Sequence, residues 1–384
     1  MTRVTSDNGL NDVFVVGIGW HRYQRKSETS FVTLGTTAVR AALEDAGIQW
    51  EAVQAAYTGT ARLGMAVSRP VLRHLGVTGI PMTQIENASA SGSSAFRVAT
   101  MEVAAGISDV VLAMGVDKPP TTTRAEDLNG IPNTSGNLIF PAAHYGLLAE
   151  EYLRSSNSHP EALAAVAVKN HHNGFLNPNA HRQKERSLEE VMNDRAIAGP
   201  LTRLQCTPVG EGGAAVILAS GSAIERLGID VSRAVQVLST VQRSEELYGA
   251  KSFDAELTRI TASQALSDAR LQASDLDIVE LHDAFSVEEL QYIEAIGLSE
   301  PGNAGQDVLA GEFDIGGRVA VSPSGGLIAM GHPVGPTGIG QIGEIVVQLR
   351  GEAADRQQVN AMNGMAHMVG VGAVCAVHVL SRHI

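Results

Sequence analysis

Thiols are nearly missing from this chain. Cys206 and Cys375 are the only cysteines in 384 residues. They lie far apart without CxxC spacing, which excludes a disulfide framework and a cysteine zinc site. Positive charge is also short, with 28 Lys and Arg against 41 Asp and Glu and a formal net charge of −13. A nucleic-acid groove needs clustered basic residues, so no nucleic-acid partner is expected. A local basic patch holding a phosphorylated cofactor remains compatible with that balance. No apolar run reaches the roughly 18 residues of a spanning helix, and the polar opening "MTRVTSDNGLND" lacks a signal-peptide core. The sequence therefore predicts no membrane segment and a cytoplasmic protein in a reducing compartment. Aromatic residues are scarce, but apolar content is ordinary and nothing marks the chain as disordered.

Glycine is plentiful, and short β-branched runs end on turn residues: "DVFVVGIG", "DVVLAMGVD", "AAVILAS", "AVQVLSTVQ", "DIVELHDAF" and "VGAVCAVHVL". Runs of this kind suit strands buried on both faces. Helical patterns lie between them, such as "TTAVRAALEDAG", which closes on Gly47 as a left-handed C′ position prefers. The alternation predicts an α/β protein, and the length suits two lobes.

The pattern is written twice. "AALEDAGIQWEAVQAAYTG" (41–59) and "QALSDARLQASDLDIVELH" (264–282) share Ala, Leu, Asp, Ala and Gln at a constant spacing. Both read helix, short loop, strand, as a duplicated βαβ half would. A second echo links "NASASGSSAFRVATMEVAAG" with "PVGPTGIGQIGEIVVQLRG": each passes through a Gly-rich turn into a helix ending on glycine. The expected halves are 1–230 and 231–384. Residues 118–205 have no counterpart and read as an insertion beside a cleft, with the charged run near Arg182 a solvated face.

In "NASASGSSAF", Phe96, Ala99 and Val103 share one helical face, so Ser89 to Ser93 occupy a tight turn at a helix N-terminus. There the backbone N–H groups are unpaired and the macrodipole is positive, which suits an oxyanion or a nucleophile. Ser89 reads equally well as an ordinary N-cap. The chain has no GxSxG elbow and no Walker lysine, and "GIGWHR" puts Arg22 where a third Rossmann glycine belongs. Two histidines shift the balance. His282 and Asp283 end a predicted strand in "ELHDAF", and His332 sits between glycines in "SPSGGLIAMGHPVGPTG". His171 and His172 lack metal-ligand company.

"ENASASGSSAF", "HDAF", "GGLIAMGHPVGPTG", "MVGVGAVCAVHVL" and "KNHHNGFLNPNA" together resemble the thiolase superfamily. The similarity is greatest to the sterol-carrier-protein-x type and its bacterial thiolase-like relatives, and it runs from about Val13 to Leu380. It implies a duplicated five-layer αβαβα fold with an inserted loop domain, a homodimer, and acyl-CoA substrates. Coenzyme A enters as a substrate, with no covalently bound cofactor and no metal. By the same resemblance Ser89 stands at the nucleophilic cysteine, and Ala284 stands where relatives with an HDCF motif carry a second, acid/base cysteine. The regions of His282 and His332 polarise the thioester oxygen, and His332 also activates the nucleophile. Ser324 and Gly325 fall in the loop lining the substrate channel. Gly370, after Val369, completes an oxyanion site with the Ser89 N–H.

Serine changes the chemistry. A helix dipole is worth at most about 2 kcal/mol, or roughly 1.5 pKa units, too little to make an alkoxide at neutral pH. Ser89 therefore needs concerted proton removal by His332, and the sequence offers no clear third member to orient that histidine. One reading is a thiolase acting on a β-ketoacyl-CoA, with serine natural or introduced in place of cysteine. A second is a thiolase-like aldolase cleaving a β-hydroxyacyl-CoA, of the steroid side-chain type, with a small OB-fold, zinc-ribbon partner. A third is a catalytically silent acyl-CoA-binding subunit. The first is the expectation carried forward.

Overall fold

The strand order repeats itself outward from a central seam. A computed structural model describes residues 10–119, 141–246, 253–370 and 374–383. The chain opens with β1 (Val13–Gln24) and α1 (Phe31–Ala46). Ser30 caps that helix by accepting the Thr33 N–H, and Gly47 closes it at φ 66°. There follow β2 (Ala55–Gly59), the short α2 (Ser68–Leu72), β3 (Met82–Ile85), α3 (Ser91–Ala104) and β4 (Val110–Asp117). The inserted region supplies α4 (Pro141–Ser155), α5 (Pro160–Leu176), α6 (Leu188–Met192) and a small hairpin of β5 (Ala196–Ala198) and β6 (Leu201–Thr202). Then come β7 (Glu211–Ser220) and α7 (Gly221–Leu227).

The second lobe begins with β8 (Val235–Ser244), α8 (Phe253–Ala269), β9 (Ile278–Glu280), α9 (Ser286–Ile296) and α10 (Ala304–Leu309). It ends with β10 (Ala320–Val321), α11 (Gly326–Ala329), α12 (Thr337–Arg350), β11 (Asn363–Gly370) and β12 (Val374–Arg382). The sheet runs β3-β2-β4-β7-β1 and then β8-β12-β11-β9-β10. Counted from the seam, each strand meets its counterpart. The seam is narrow: β1 and β8 share two residue pairs, Phe14 with Gln236 and Val15 with Val235. Two five-stranded sheets, one per lobe, are thus joined edge to edge.

Side-chain alternation along the strands sorts the layers. In the first sheet Val16, Leu112 and Ile217 pack with Leu34, Val39 and Leu43 of α1. Their neighbours Val15, Val111 and Val216 face the other way, onto Phe96 and Val103 of α3 and Ile339, Ile342 and Val346 of α12. The second sheet turns Val377 and Val379 toward Leu257 and Leu266 of α8. The layers are α1, sheet, α3 with α12, sheet, α8. This is the five-layer arrangement that the resemblance implies, and the 41–59 repeat read from the sequence meets 264–282 element for element. Where Gly47 takes the left-handed conformation in the first copy, Arg270 takes it in the second, at φ 58°.

Two expectations need adjustment. "DIVELHDAF" reads as one strand, yet β9 stops at Glu280, so His282 lies just past its end. The charged run near Arg182 is not all solvated: Arg182 Nη1 donates to the carbonyls of Cys206 and Ile328 at 3.0 Å each. The stretch "KPPTTTRAEDLNGIPNTSGN" falls almost wholly in 120–140, outside the described residues. Although α5 interrupts the first lobe in sequence, Leu163 and Val166 pack with Val287 and Ile293 of the second. Among the described residues no helix is long and apolar enough to cross a membrane.

The two middle helices meet at their first turns with a glycine of one against a serine of the other. A Cβ on Gly338 would lie 2.1 Å from Ser93 Oγ and 2.8 Å from Ser93 N. We expect Gly338→Ala to force α3 and α12 apart and lower stability by about 1–3 kcal/mol, read as a fall in the urea midpoint at unchanged m-value.

Candidate active site

The Ser89 turn is built from short hydrogen bonds that admit only small residues. The Asn87 N–H donates to Ser91 Oγ at 2.9 Å, and Ser91 Oγ donates to the Ala88 carbonyl at 2.6 Å. Ala90 N–H closes on Asn87 O at 3.0 Å. Ala88, just before Ser89, is held at φ 49°, a conformation that costs a side-chain-bearing residue of order 1–3 kcal/mol. Gly92 is obligatory because a Cβ there would lie 2.4 Å from the Gly335 carbonyl oxygen. Gly370 is equally confined, 2.3 Å from Asn87 O and 3.2 Å from Ala90 Cβ by the same measure, which sets the end of β11 against the Ser89 turn.

His332 approaches from the second lobe. Its loop is fastened by Asp117 at the end of β4: Oδ2 accepts from Gly335 N–H at 2.7 Å and Ala61 N–H at 2.9 Å. Oδ1 accepts from Thr60 Oγ1 at 2.7 Å and Arg62 N–H at 2.9 Å. Val334 bends the same loop through φ 77°. The outcome is a hydrogen bond of 2.9 Å between Ser89 Oγ and His332 Nε2, across 243 residues of chain. The other ring nitrogen, Nδ1, lies 2.8 Å from Thr337 Oγ1 at the start of α12. Thr337 is the orienting group that sequence reasoning missed. It stands five residues after His332, but only the loop geometry reveals that its hydroxyl turns back.

Burial, then the neighbouring His282 and Arg62, hold His332 well below the usual imidazole range. A neutral imidazole whose Nε2 faces a buried hydroxyl can take that proton as a bond forms to Oγ.

His282 completes the cluster. Its ring stands edge-on to His332 with centroids 5.4 Å apart. Nδ1 lies 3.0 Å from Glu288 Oε1, and Nε2 is buried without a hydrogen-bond partner in the structure. Beside the turn, Ala90, Ala284, Leu327 and Met368 form one small apolar cluster. Asp283 turns away from the histidines to accept from Leu327 N–H at 2.7 Å and Asn170 Nδ2 at 2.8 Å. It anchors the loop over the site.

The remaining sequence candidates fall elsewhere. Ser324 gives its hydroxyl to Glu280 Oε2 at 2.7 Å and its N–H to Oε1 at 2.9 Å. Gly325, at φ 106°, backs onto Gly174 of α5. From this loop it is Leu327 that reaches the cluster beside Ser89. A cavity of about 180 Å³ lined by Trp20, Asn177, Ser324, Met330, Glu344 and Arg356 touches none of Ser89, His282 and His332. Cys375 is core, with its thiol pushed up by burial to about 12. Cys206 donates to Thr202 O at 3.2 Å and is likewise raised to about 12, chiefly by burial. His367 contacts Thr258 Oγ1 at 2.8 Å. Among the described residues no three His, Cys, Asp or Glu side chains are grouped to hold a metal ion.

Known proteins resemble this chain along nearly its whole length. Residues 18–222 match the family model "Thiolase, N-terminal domain", and residues 240–382 match "Thiolase C-terminal domain-like". The chain is 36% identical to an acetyl-CoA acetyltransferase of Methanothermobacter thermautotrophicus, over 97% of this chain and all of the relative. It is 34% identical to sterol carrier protein 2 of Gallus gallus, over 95% of this chain and 71% of that protein. Among solved structures, an "Ltp2-ChsH2(DUF35) aldolase" superposes with a TM-score of 0.85 at 23% identity, covering 97% of this chain and 98% of the other. That last likeness speaks to the fold.

His332, His367 and His378 all carry lowered pKa values, burial being the first cause for each, and the latter two fall to about 3. In the unfolded chain they titrate near 6.5, so that state binds more protons below this pH. Their contribution is complete above pH 6.5 and is lost as pH falls toward 3. Each is expected to cost about 1.4 kcal/mol per pH unit in that window. Urea unfolding at pH 7.0 and 5.5 measures the loss, and replacing His378 with Gln should reduce it.

Proposed function

The chain belongs to the thiolase superfamily, of the sterol-carrier-protein type, and on that premise we propose that it breaks or forms a carbon–carbon bond beside a CoA thioester, with Ser89 as the acyl carrier. The observation that carries this reading is the buried 2.9 Å contact between Ser89 Oγ and a neutral His332. In the cleavage direction Oγ attacks the ketone carbon of a β-ketoacyl-CoA while His332 Nε2 takes its proton. The Cα–Cβ bond breaks, and the electron pair passes to the thioester as the enolate of acetyl-CoA. The protonated Nε2 is then a hydrogen-bond donor to that enolate oxygen, aided by the positive end of α3. Coenzyme A attacks the ester on Ser89, releases the shortened acyl-CoA and returns the hydroxyl. Thr337 holds the His332 ring in place through Nδ1. A hydroxyl there stabilises imidazolium less than a carboxylate does, so acyl transfer through Ser89 should be slow.

The reading extends to assembly. β3 is the outer strand of its sheet and is largely exposed, which supports pairing with a second copy in a homodimer.

A second reading rests on Ala284, which leaves no thiol beside the histidines. Retro-aldol cleavage of a β-hydroxyacyl-CoA needs a base for the hydroxyl and a hold on the same enolate, and no covalent carrier. The aldolase superposition, whose title pairs Ltp2 with ChsH2(DUF35), supports asking whether a small OB-fold, zinc-ribbon partner is required.

Ser89→Cys with a β-ketoacyl-CoA and CoA is expected to release a shortened acyl-CoA and to show the acyl mass on residue 89. The same adduct should form, more slowly, on Ser89. A folded protein that gives neither adduct nor turnover is not an acyl-transfer enzyme. Cleavage of a β-hydroxyacyl-CoA by the protein as it stands, without added CoA, is the signature of the aldolase.

A further inference from the structure

We propose that Glu288 is the positioning residue that makes His282 the acid/base at the carbon next to the thioester, a duty for which this site has no thiol. The inference rests on the carbon–carbon bond reading above. Glu288 is fully buried at the first turn of α9. Its Oε2 accepts from Phe285 N–H at 2.9 Å. Its Oε1 lies 3.0 Å from His282 Nδ1 and accepts from the Tyr292 hydroxyl at 3.2 Å. The Tyr145 hydroxyl, from the inserted helix α4, also bonds to this carboxylate. Among the described residues no Lys or Arg forms an ion pair with it, and His282 is the basic side chain that touches it. A buried carboxylate so placed requires compensation.

The geometry fixes what His282 presents. With Nδ1–H held on Glu288, the free atom is Nε2, which is buried and without a partner in the structure. The ring meets His332 edge-on at 5.4 Å, so His282 belongs to the same buried cluster as Ser89. His332 is committed to the Ser89 hydroxyl. Ala284 carries no donor, and both thiols of the chain are occupied elsewhere. His282 is the remaining group able to move a proton at the α carbon.

The step balances. His282, protonated at Nε2, gives that proton to the enolate carbon and leaves neutral, forming acetyl-CoA. It then takes the thiol proton of the incoming CoA, whose sulfur attacks the Ser89 ester, and His332 returns its proton to Oγ. Several titratable groups face the pair: Asp254 from α8, His144 and Tyr145 from α4, Tyr292 from α9, His332, and His367 from β11. Asp254 is pushed up by burial and by Glu288. Glu288 is the carboxylate in direct contact with the ring.

The test isolates this step from acyl transfer. Acetyl-CoA is incubated with the protein in D2O, and deuterium entering the acetyl group is followed by mass spectrometry. The wild type is expected to exchange. Glu288→Gln should exchange about 10²–10⁴-fold more slowly in kcat, with KM changed by no more than about twofold because Glu288 does not touch the substrate. A folded Glu288→Gln protein exchanging as fast as wild type overturns the proposal, and so does a wild type that does not exchange. If Glu288→Gln fails to fold, His282→Ala decides: lost exchange supports the proposal and retained exchange overturns it. Exchange that persists when no adduct forms on Ser89 removes the acyl-carrier reading alone and leaves this one standing.

Discussion

The contact between the first turns of α3 and α12 is the constraint from which the site follows. Gly92 lies against the Gly335 carbonyl and Gly338 against Ser93, with no room for a methyl group at either. Each turn begins a middle-layer helix of one lobe, so this single approach aligns two helix N-termini and two positive dipole ends. Ser89 and His332 belong to these turns, and their hydrogen bond is a consequence of the fit.

Holding the turns there takes buried carboxyl groups and local strain. Asp117 spends both oxygens on four donors, one of them from the His332 loop. Asp283 does the same for the neighbouring loop through Leu327. Ala88 and Val334 adopt left-handed backbone beside the two functional residues, conformations tolerated because the surrounding packing fixes them. Burial that would be costly for an ion suits a base, since it keeps His332 neutral.

Much of this was legible before any coordinates. The repeated helix–loop–strand, the strand runs and the helix ended by Gly47 are local patterns, and the structure reproduces them through side-chain alternation and capping. Ser89 stood out because a helix N-terminus restricts its neighbours to small residues, and the two histidines because glycines surround one and a strand end carries the other. What stayed hidden depended on direction. Ser324 sits in a loop of the right kind but turns its hydroxyl to Glu280. Thr337, Glu288 and Tyr145 read as ordinary helix residues until the fold shows where their polar atoms point.

The sequence by itself determined the duplicated α/β plan, the closure of α1 on Gly47 and three candidate residues at turns and a strand end. Each of these is set by short-range periodicity and backbone preference. Only the tertiary structure decided which nitrogen of His332 meets Ser89, which carboxylate backs His282, and which glycines are spacers between helices. The Ser89–His332 and glycine contacts join opposite lobes, while His282 and Glu288 lie six residues apart and meet only because the chain turns between β9 and α9.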